Sequence, residues 1–298
     1  MVETESVSEP DQHSQGSPGW VTTRDGRRLH IMVLSGPPDS TAPTVVFEAG
    51  AAATRSMWGL VQPEVGRFAR AVVYDRAGLG RSPADPAGRT LDRMADDLLD
   101  VLDHFGNGPF ILAGHSAGGV IARLAAARSR ERIAGLVLVD PTDEAADLLF
   151  GPAFRRAERV VITVNAILAR LGVLGLMYRS MLDAVPADVR RDMKREAFAP
   201  GIVRTQSIQA RTFLDELATW RDAPPDLGDL PLTVVSGGIA ADGMNARIRA
   251  AANASHAHRA AQSPAGRHVL ADRSGHYVPV TEPEVVIEEI RRLTRRRL

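Results

Sequence analysis

The sequence contains no cysteine, which removes disulfide frameworks, thiol nucleophiles, Cys-ligated zinc and iron–sulfur clusters from the chemistry open to it. It also lacks an excess of either charge. Its 36 Lys and Arg face 36 Asp and Glu, and no long basic block is present to capture a nucleic-acid backbone by counterion release. The expectation is therefore no nucleic-acid partner. A long unbroken apolar run is missing too. Val160 to Leu182 comes nearest, but Asn165, Arg170, Gly172, Gly175 and Arg179 interrupt it, whereas a span needs about 20 predominantly apolar residues. That stretch reads as buried or pocket-lining helices, with no membrane span. The acidic, polar opening MVETESVSEPDQHSQGSPG lacks the apolar heart of a secretory signal. It reads as a flexible tail over residues 1–18, and the chain as cytoplasmic. The bias toward Ala and Arg fits a GC-rich bacterial gene.

What is present is 298 residues, 44% of them hydrophobic, enough for one substantial core with an insertion packed over it. WVTTRDGRRLHIMVLSG reads as a hairpin turned at Asp25-Gly26. TVVFEAG (residues 44–50) and AVVYD (71–75) are short β-branched runs ending in small or turn residues, the pattern of buried strands. A helix is expected from Trp58 to Phe68 and another from Thr90 to Phe105, where Leu91, Met94, Ala95, Leu98, Leu99 and Leu102 recur on one face. FILAGHSAGG passes from strand to turn, VIARLAAARSRERI continues as helix, and GLVLVD (135–140) follows as strand. This βαβ series predicts a parallel sheet covered on both faces. From Pro141 to about Leu230 only helical stretches occur. The rhythm then resumes with PLTVVSGG, a helix from about Met244 to Ala261, the strand RHVLAD, the turn RSGHYVP and a final helix.

The strongest local signal is Gly114-His115-Ser116-Ala117-Gly118, placed between an apolar strand and a helix. A serine at such a turn is held with its hydroxyl exposed, and the glycines avoid clashes with the neighbouring strand and helix. The N–H of Ala117, at the helix start, can bind a developing oxyanion. The hydroxyl needs a base, and His276 in SGHYVP emerges from the same edge of a parallel sheet. His115 is expected to pack beside the turn, and His256 and His258 to sit on a helix surface rather than hold a metal. Asp75 and Arg76 are expected to pair with each other and brace the loop YDRAGLGRS. Gly78 and Gly80 lack the lysine and full fingerprint of a nucleotide site.

FEAG, YDRAGLGRS, GHSAG, VLVD and SGHYVPVTEPE, in that order from about Trp20 to the end, give a chain that resembles the α/β-hydrolase fold superfamily, in its serine-nucleophile, esterase- and lipase-like group with a helical cap. The resemblance implies a mostly parallel eight-stranded sheet flanked by helices. Residues 19–140 and 231–298 would form the core, with a cap over 141–230 between the sixth and seventh strands. It also implies that the N–H of Ala51 is the second oxyanion donor, in a loop that has Ala49-Gly50 where the family often has His-Gly. The acid partner of His276 follows the seventh strand in most of the superfamily, which points to Asp242. It follows the sixth in some relatives, which points to Asp140. Either carboxylate could fix the imidazole tautomer.

The expected activity is cleavage of a carboxylic ester, lactone or thioester through an acyl-enzyme, with Ser116 as nucleophile and no metal or organic cofactor. The apolar residues of the insertion, among them Leu174, Tyr178, Met181 and Phe198, favour a hydrophobic small-molecule substrate if they face the serine. Arg204 and Arg211 could meet a substrate carboxylate. An amidase, aminopeptidase or perhydrolase on the same residues, or a non-catalytic ligand-binding protein on the same fold, are the alternatives, since fold alone does not establish activity. Oligomeric state is not legible.

Overall fold

A computed structural model describes residues 12–296. The β-branched and apolar runs become strands β1 (Ser17–Thr22), β2 (Arg28–Leu34), β3 (Thr44–Glu48), β4 (Ala71–Tyr74), β5 (Phe110–His115), β6 (Ile133–Val139), β7 (Leu232–Gly237) and β8 (Gly266–Ala271). They form one sheet in the order β1-β2-β4-β3-β5-β6-β7-β8. β1 and β2 are the expected antiparallel hairpin, and Gly26 at its turn has φ +84°, where a side chain is disfavoured. β2 is antiparallel to β4. From β4 through β3 to β8 every neighbouring pair is parallel.

Both faces of this sheet are covered, so successive residues of one strand enter different cores. Val46, Val72, Leu112 and Leu136 join one apolar cluster, while Val45, Val73, Ile111 and Val137 join the other. This double burial explains why the strands read as continuous apolar runs.

The helices are α1 (Gln62–Val65), α2 (Leu91–His104) and α3 (Ala117–Arg128), then α4 (Pro152–Arg170), α5 (Arg179–Ala184), α6 (Ala187–Glu196), α7 (Pro200–Gln209) and α8 (Phe213–Ala218) between β6 and β7, and finally α9 (Ala246–Ala261), α10 (Val278–Thr281) and α11 (Pro283–Thr294). Thr90 caps α2 by accepting the N–H of Arg93, as N-cap hydroxyls do. The helix expected from Trp58 to Phe68 is instead a 3₁₀ turn, Arg55–Trp58, followed by the short α1. Gly59 separates them, and a Cβ there would lie 2.6 Å from Val189 of α6. Residues 1–11 of the expected tail lie outside the described residues. From Ser14 onward the chain is held, because the Ser14 hydroxyl donates to Asp188 at 2.9 Å, Gln15 is buried and Ser17 opens β1.

No strand interrupts residues 141–230, so a helical cap sits between β6 and β7. It has a small core of Ile162, Ala169, Leu174 and Val203. The reading of Val160 to Leu182 as buried or pocket-lining helices holds for Leu174, Tyr178, Met181 and Leu182, which line the cavity or are buried, and needs correction for α4. Only Ile162 and Ala169 of α4 are buried, and Val160, Val161, Val164 and Ile167 face out. Periodicity reveals an apolar face but not what that face meets. No single helix is long and apolar enough to cross a membrane among the described residues.

Buried charge ties the cap to the core. The fully buried guanidinium of Arg55 bridges Asp75 at 2.6 Å to Asp192 and Glu196 of α6, each at 2.5 Å. Thr205 of α7 adds a hydrogen bond to the Gly78 carbonyl at 2.9 Å. Removing one member of a buried network leaves the others uncompensated, which costs about 3–5 kcal/mol. Arg55→Leu should therefore lower stability by about that amount in urea denaturation. Arg67→Leu, which breaks an exposed pair with Glu64, should change it by under about 1 kcal/mol. Equal effects for the two variants would count against the clamp.

Candidate active site

Parallel strands place the loops at their C-terminal ends along one sheet edge, where α/β proteins build their sites. At the central strand the chain turns sharply after His115, and Ser116 has φ 54° and ψ −124°, a conformation that costs an L-residue of order 1–3 kcal/mol. Close packing enforces it. A Cβ on Gly114 would lie 2.7 Å from the Gly118 carbonyl oxygen, and one on Gly118 would lie 2.4 Å from that of Glu48. The Ser116 N–H donates to Val139 of β6 at 3.0 Å, and α3 starts at Ala117.

Ala51 follows β3. The buried guanidinium of Arg76 bonds the Glu48 carboxylate and the carbonyl oxygens of Ala49, Gly50 and Ala51. In a trans peptide the N–H points opposite to the C=O, so a Gly50 carbonyl drawn to Arg76 turns the Ala51 N–H the other way. The expected pairing of Asp75 with Arg76 does not occur. Adjacent residues leaving a strand point to opposite sides, and Asp75 bonds Arg55 and His30 instead.

His276, in the turn after β8, meets both candidate aspartates through different atoms. Its Nδ1–H donates to Asp140 Oδ2 at 2.6 Å, and its backbone N–H donates to Asp242 Oδ2 at 2.8 Å. Asp140, at the end of β6, is buried. It also accepts the N–H of Gly237 at 3.0 Å and both terminal nitrogens of Arg249 from α9. Burial alone would raise its pKa, but the hydrogen bond and charge of His276 and the hydrogen bonds of Arg249 outweigh that and hold the carboxyl well below the usual range.

His115 packs against His276 with the rings tilted by 43° and their centroids 4.7 Å apart, and its Nε2–H donates to the His276 carbonyl at 2.9 Å. Burial, followed by the charge of His276, lowers its pKa to about 3. His256 is not on the helix surface as expected. It is buried, donates from Nε2 to the Pro141 carbonyl at 2.7 Å and accepts from Ser236 Oγ at 2.7 Å, and desolvation lowers its pKa. His258 is exposed.

The support for Asp140 from α9 is not apparent from sequence reasoning. Asn253 donates to the Gly237 carbonyl at 3.0 Å, so Arg249, Asn253 and His256 all face the end of β6 and β7. Their i, i+4, i+7 spacing places them on one helix face. Polar residues on the face where apolar ones would pack were the available signal.

Ser116, His276 and Ala51 line a cavity of about 210 Å³ roofed by the cap. Leu174, Tyr178, Met181 and Phe198 contribute to its apolar wall, Tyr178 stacking on Phe198 at 5.4 Å. Asn165 and Gln206 are polar members of the lining. Arg204 and Arg211 face a separate groove on the outside of the cap. Among the described residues no cluster of three or more His, Asp or Glu could hold a metal ion.

A profile described as "Alpha/beta hydrolase family" matches residues 45–289. Among curated relatives, an "AB hydrolase superfamily protein" of Gibberella zeae is 27% identical over 309 aligned positions, covering 89% of this chain and 91% of that one. Among solved structures, the epoxide hydrolase CorEH superposes with a TM-score of 0.67 at 18% identity, covering 93% and 98% of the two chains. A thermophilic esterase from Thermogutta terrifontis superposes with a TM-score of 0.63 at 22% identity, covering 93% and 97%. At these identities the superpositions show the fold.

The buried neutral histidines make stability depend on pH. Between pH 6.5 and about 3 the unfolded chain protonates His115 while the folded chain does not, so unfolding takes up protons and stability falls with pH. The loss is up to about 1.4 kcal/mol per pH unit from this residue, and His256 acts in the same direction. Asp140, whose folded pKa is depressed, adds to the loss only below the ordinary carboxylate pKa of about 4. The Tm should decline steadily from about pH 6.5 to 4.5, and more gently in His115→Asn. An equally steep decline in that variant would exclude His115 as a source.

Proposed function

We propose that this chain, which belongs to the alpha/beta hydrolase family, is a serine hydrolase that cleaves a carboxylic ester, lactone or thioester of a hydrophobic small molecule. The observation that carries the reading is the 2.6 Å hydrogen bond from His276 Nδ1 to the buried Asp140, at the sheet edge where Ser116 sits on its strained turn. With Nδ1–H committed to Asp140, the imidazole presents Nε2 as the proton acceptor. Ser116 Oγ attacks the substrate carbonyl carbon and its proton passes to His276. The C=O π electrons move onto the substrate's carbonyl oxygen, and the resulting oxyanion is held by the N–H groups of Ala51 and Ala117. His276 then protonates the leaving alcohol or thiol as its bond to the acyl carbon breaks. Water attacks the acyl-enzyme with the same imidazole as base, and the acyl–Oγ bond breaks to release the acid as the proton returns to Ser116 Oγ.

The two aspartates receive different roles. Asp140 is the proposed triad acid, because it contacts the ring and remains ionised in its buried site. Asp242 holds the backbone of His276, so it positions the histidine without touching the transferred proton. A serine at the elbow separates this reading from alkyl-carbon chemistry such as epoxide opening, for which the superfamily employs an aspartate there. The apolar wall around Ser116 supports a hydrophobic acyl or alkyl group.

Hydrolysis of nitrophenyl esters of increasing acyl length tests the assignment. Ser116→Ala should abolish turnover and covalent labelling by a fluorophosphonate. Asp140→Asn should lower kcat by about 10⁴-fold, by leaving the histidine in the wrong tautomer, and Asp242→Ala should cost far less. A larger loss in Asp242→Ala than in Asp140→Asn would reverse the two aspartates. No turnover of any ester, with Ser116 unlabelled, would overturn the hydrolase reading.

A further inference from the structure

The cap helix α4 is built the wrong way round for a helix that only covers a core. Val160, Val161 and Ile167 on its outer face, Leu171 at its end, and Leu176 and Met177 in the following turn are each more than half exposed. A surface helix normally turns such a stripe inward, and a continuous exposed apolar patch marks a site of interaction.

Directly beside this stripe, on the next flank of α4, runs a row of cations. Arg170 of α4, Arg204 of α7 and Arg211 in the turn after α7 line a groove between the two helices with Thr163 and Ser207, and Arg159 of α4 lines the groove adjoining it, which shares Thr163, Ser207 and Arg211. Among the described residues none of these four arginines has an ion pair, whereas neighbouring Arg155 is paired with Asp215 at 2.6 Å. Glu158 is the carboxylate on the groove wall. Cations outnumber carboxylates between Pro152 and Arg211, although the whole chain balances 36 against 36.

We infer that the outer face of the cap docks on an anionic phospholipid bilayer, with the α4 stripe and the Leu176–Met177 turn in the acyl boundary and the four arginines at the level of the phosphates. An apolar stripe flanked by free cations is the combination by which an interfacial helix lies on a membrane. Charge distinguishes this occupant from a second copy of the chain. A two-fold contact uses the same patch on both partners and would bring the unpaired arginine rows together, whereas a negative surface complements them. The patch also adjoins the cavity, because Leu174 and Tyr178, on either side of Leu176 and Met177, line it beside Ser116. An apolar molecule leaving the bilayer would thus meet an apolar route to the serine. The inference goes beyond the proposed hydrolase activity and does not depend on it.

Flotation of the full chain with vesicles provides the test, using phosphatidylcholine alone or phosphatidylglycerol. Binding is expected to phosphatidylglycerol at low salt and to fall as salt rises. The pair Ile167→Ser with Leu171→Ser should abolish it. The pair Arg204→Gln with Arg211→Gln should weaken it roughly thirty-fold, from the attraction of two basic residues to the surface. Since these positions are exposed and outside the cavity, fluorophosphonate labelling of Ser116 in solution should be unchanged in both variants, which separates this test from that of the hydrolase reading. Absence of flotation with phosphatidylglycerol, or flotation unaffected by both pairs, would overturn the inference. So would a dimer in sedimentation analysis that dissociates with Ile167→Ser and Leu171→Ser, since the face would then serve a second copy.

Discussion

The carboxylate of Asp140 is the fixed point around which the sheet edge is organised. It is buried where an isolated charge would be expensive, and it is stable there because His276, Arg249 and the Gly237 N–H all donate to it. These donors come from the turn after β8, from α9 and from β7, so one ionised group joins elements widely separated in the chain. The arrangement has a chemical side as well. In sharing the charge of Asp140 with the imidazole, Arg249 influences how strongly the aspartate favours the protonated form of the proposed base.

A second buried cation performs the corresponding task on the other side of Ser116. Arg76 gathers the carbonyls of Ala49, Gly50 and Ala51, and so fixes the peptide planes of the loop proposed to hold the oxyanion. Arg55 repeats the device at greater distance, joining Asp75 in the core to Asp192 and Glu196 in the cap. Buried arginine forks suit this use, because each guanidinium can satisfy several acceptors in one rigid geometry. The cap is consequently anchored by α6 and α7 near the mouth of the site, while α4 lies on the outside with its apolar stripe uncovered.

Much of this was legible in the residues. The βαβ rhythm, the break after Asp140 and the return at Pro231 gave the parallel sheet and the helical insertion, because strand and helix periods are local properties of the chain. The Gly-Xaa-Ser-Xaa-Gly turn was equally legible, since its glycines are required by contacts within the turn and with the adjacent strand. The helix expected from Trp58 to Phe68 is present only as the short α1, and the Gly59 before it packs against Val189, which is far away in sequence. The sequence places His256 on a helix surface because it does not show which distant segments enclose that residue. Its partners, Pro141 and Ser236, belong to other elements.

Sequence alone therefore determined the strands, the order of the motifs, the strained serine and the candidate histidine. All of these depend on short-range periodicity and backbone sterics. Only the tertiary structure decided which aspartate meets the imidazole ring, that Arg76 braces the loop after β3 rather than pairing with Asp75, and that the apolar face of α4 points to the outside. Each of those outcomes depends on the direction in which a side chain or helix face is turned, and direction is set by packing between segments that the sequence keeps far apart.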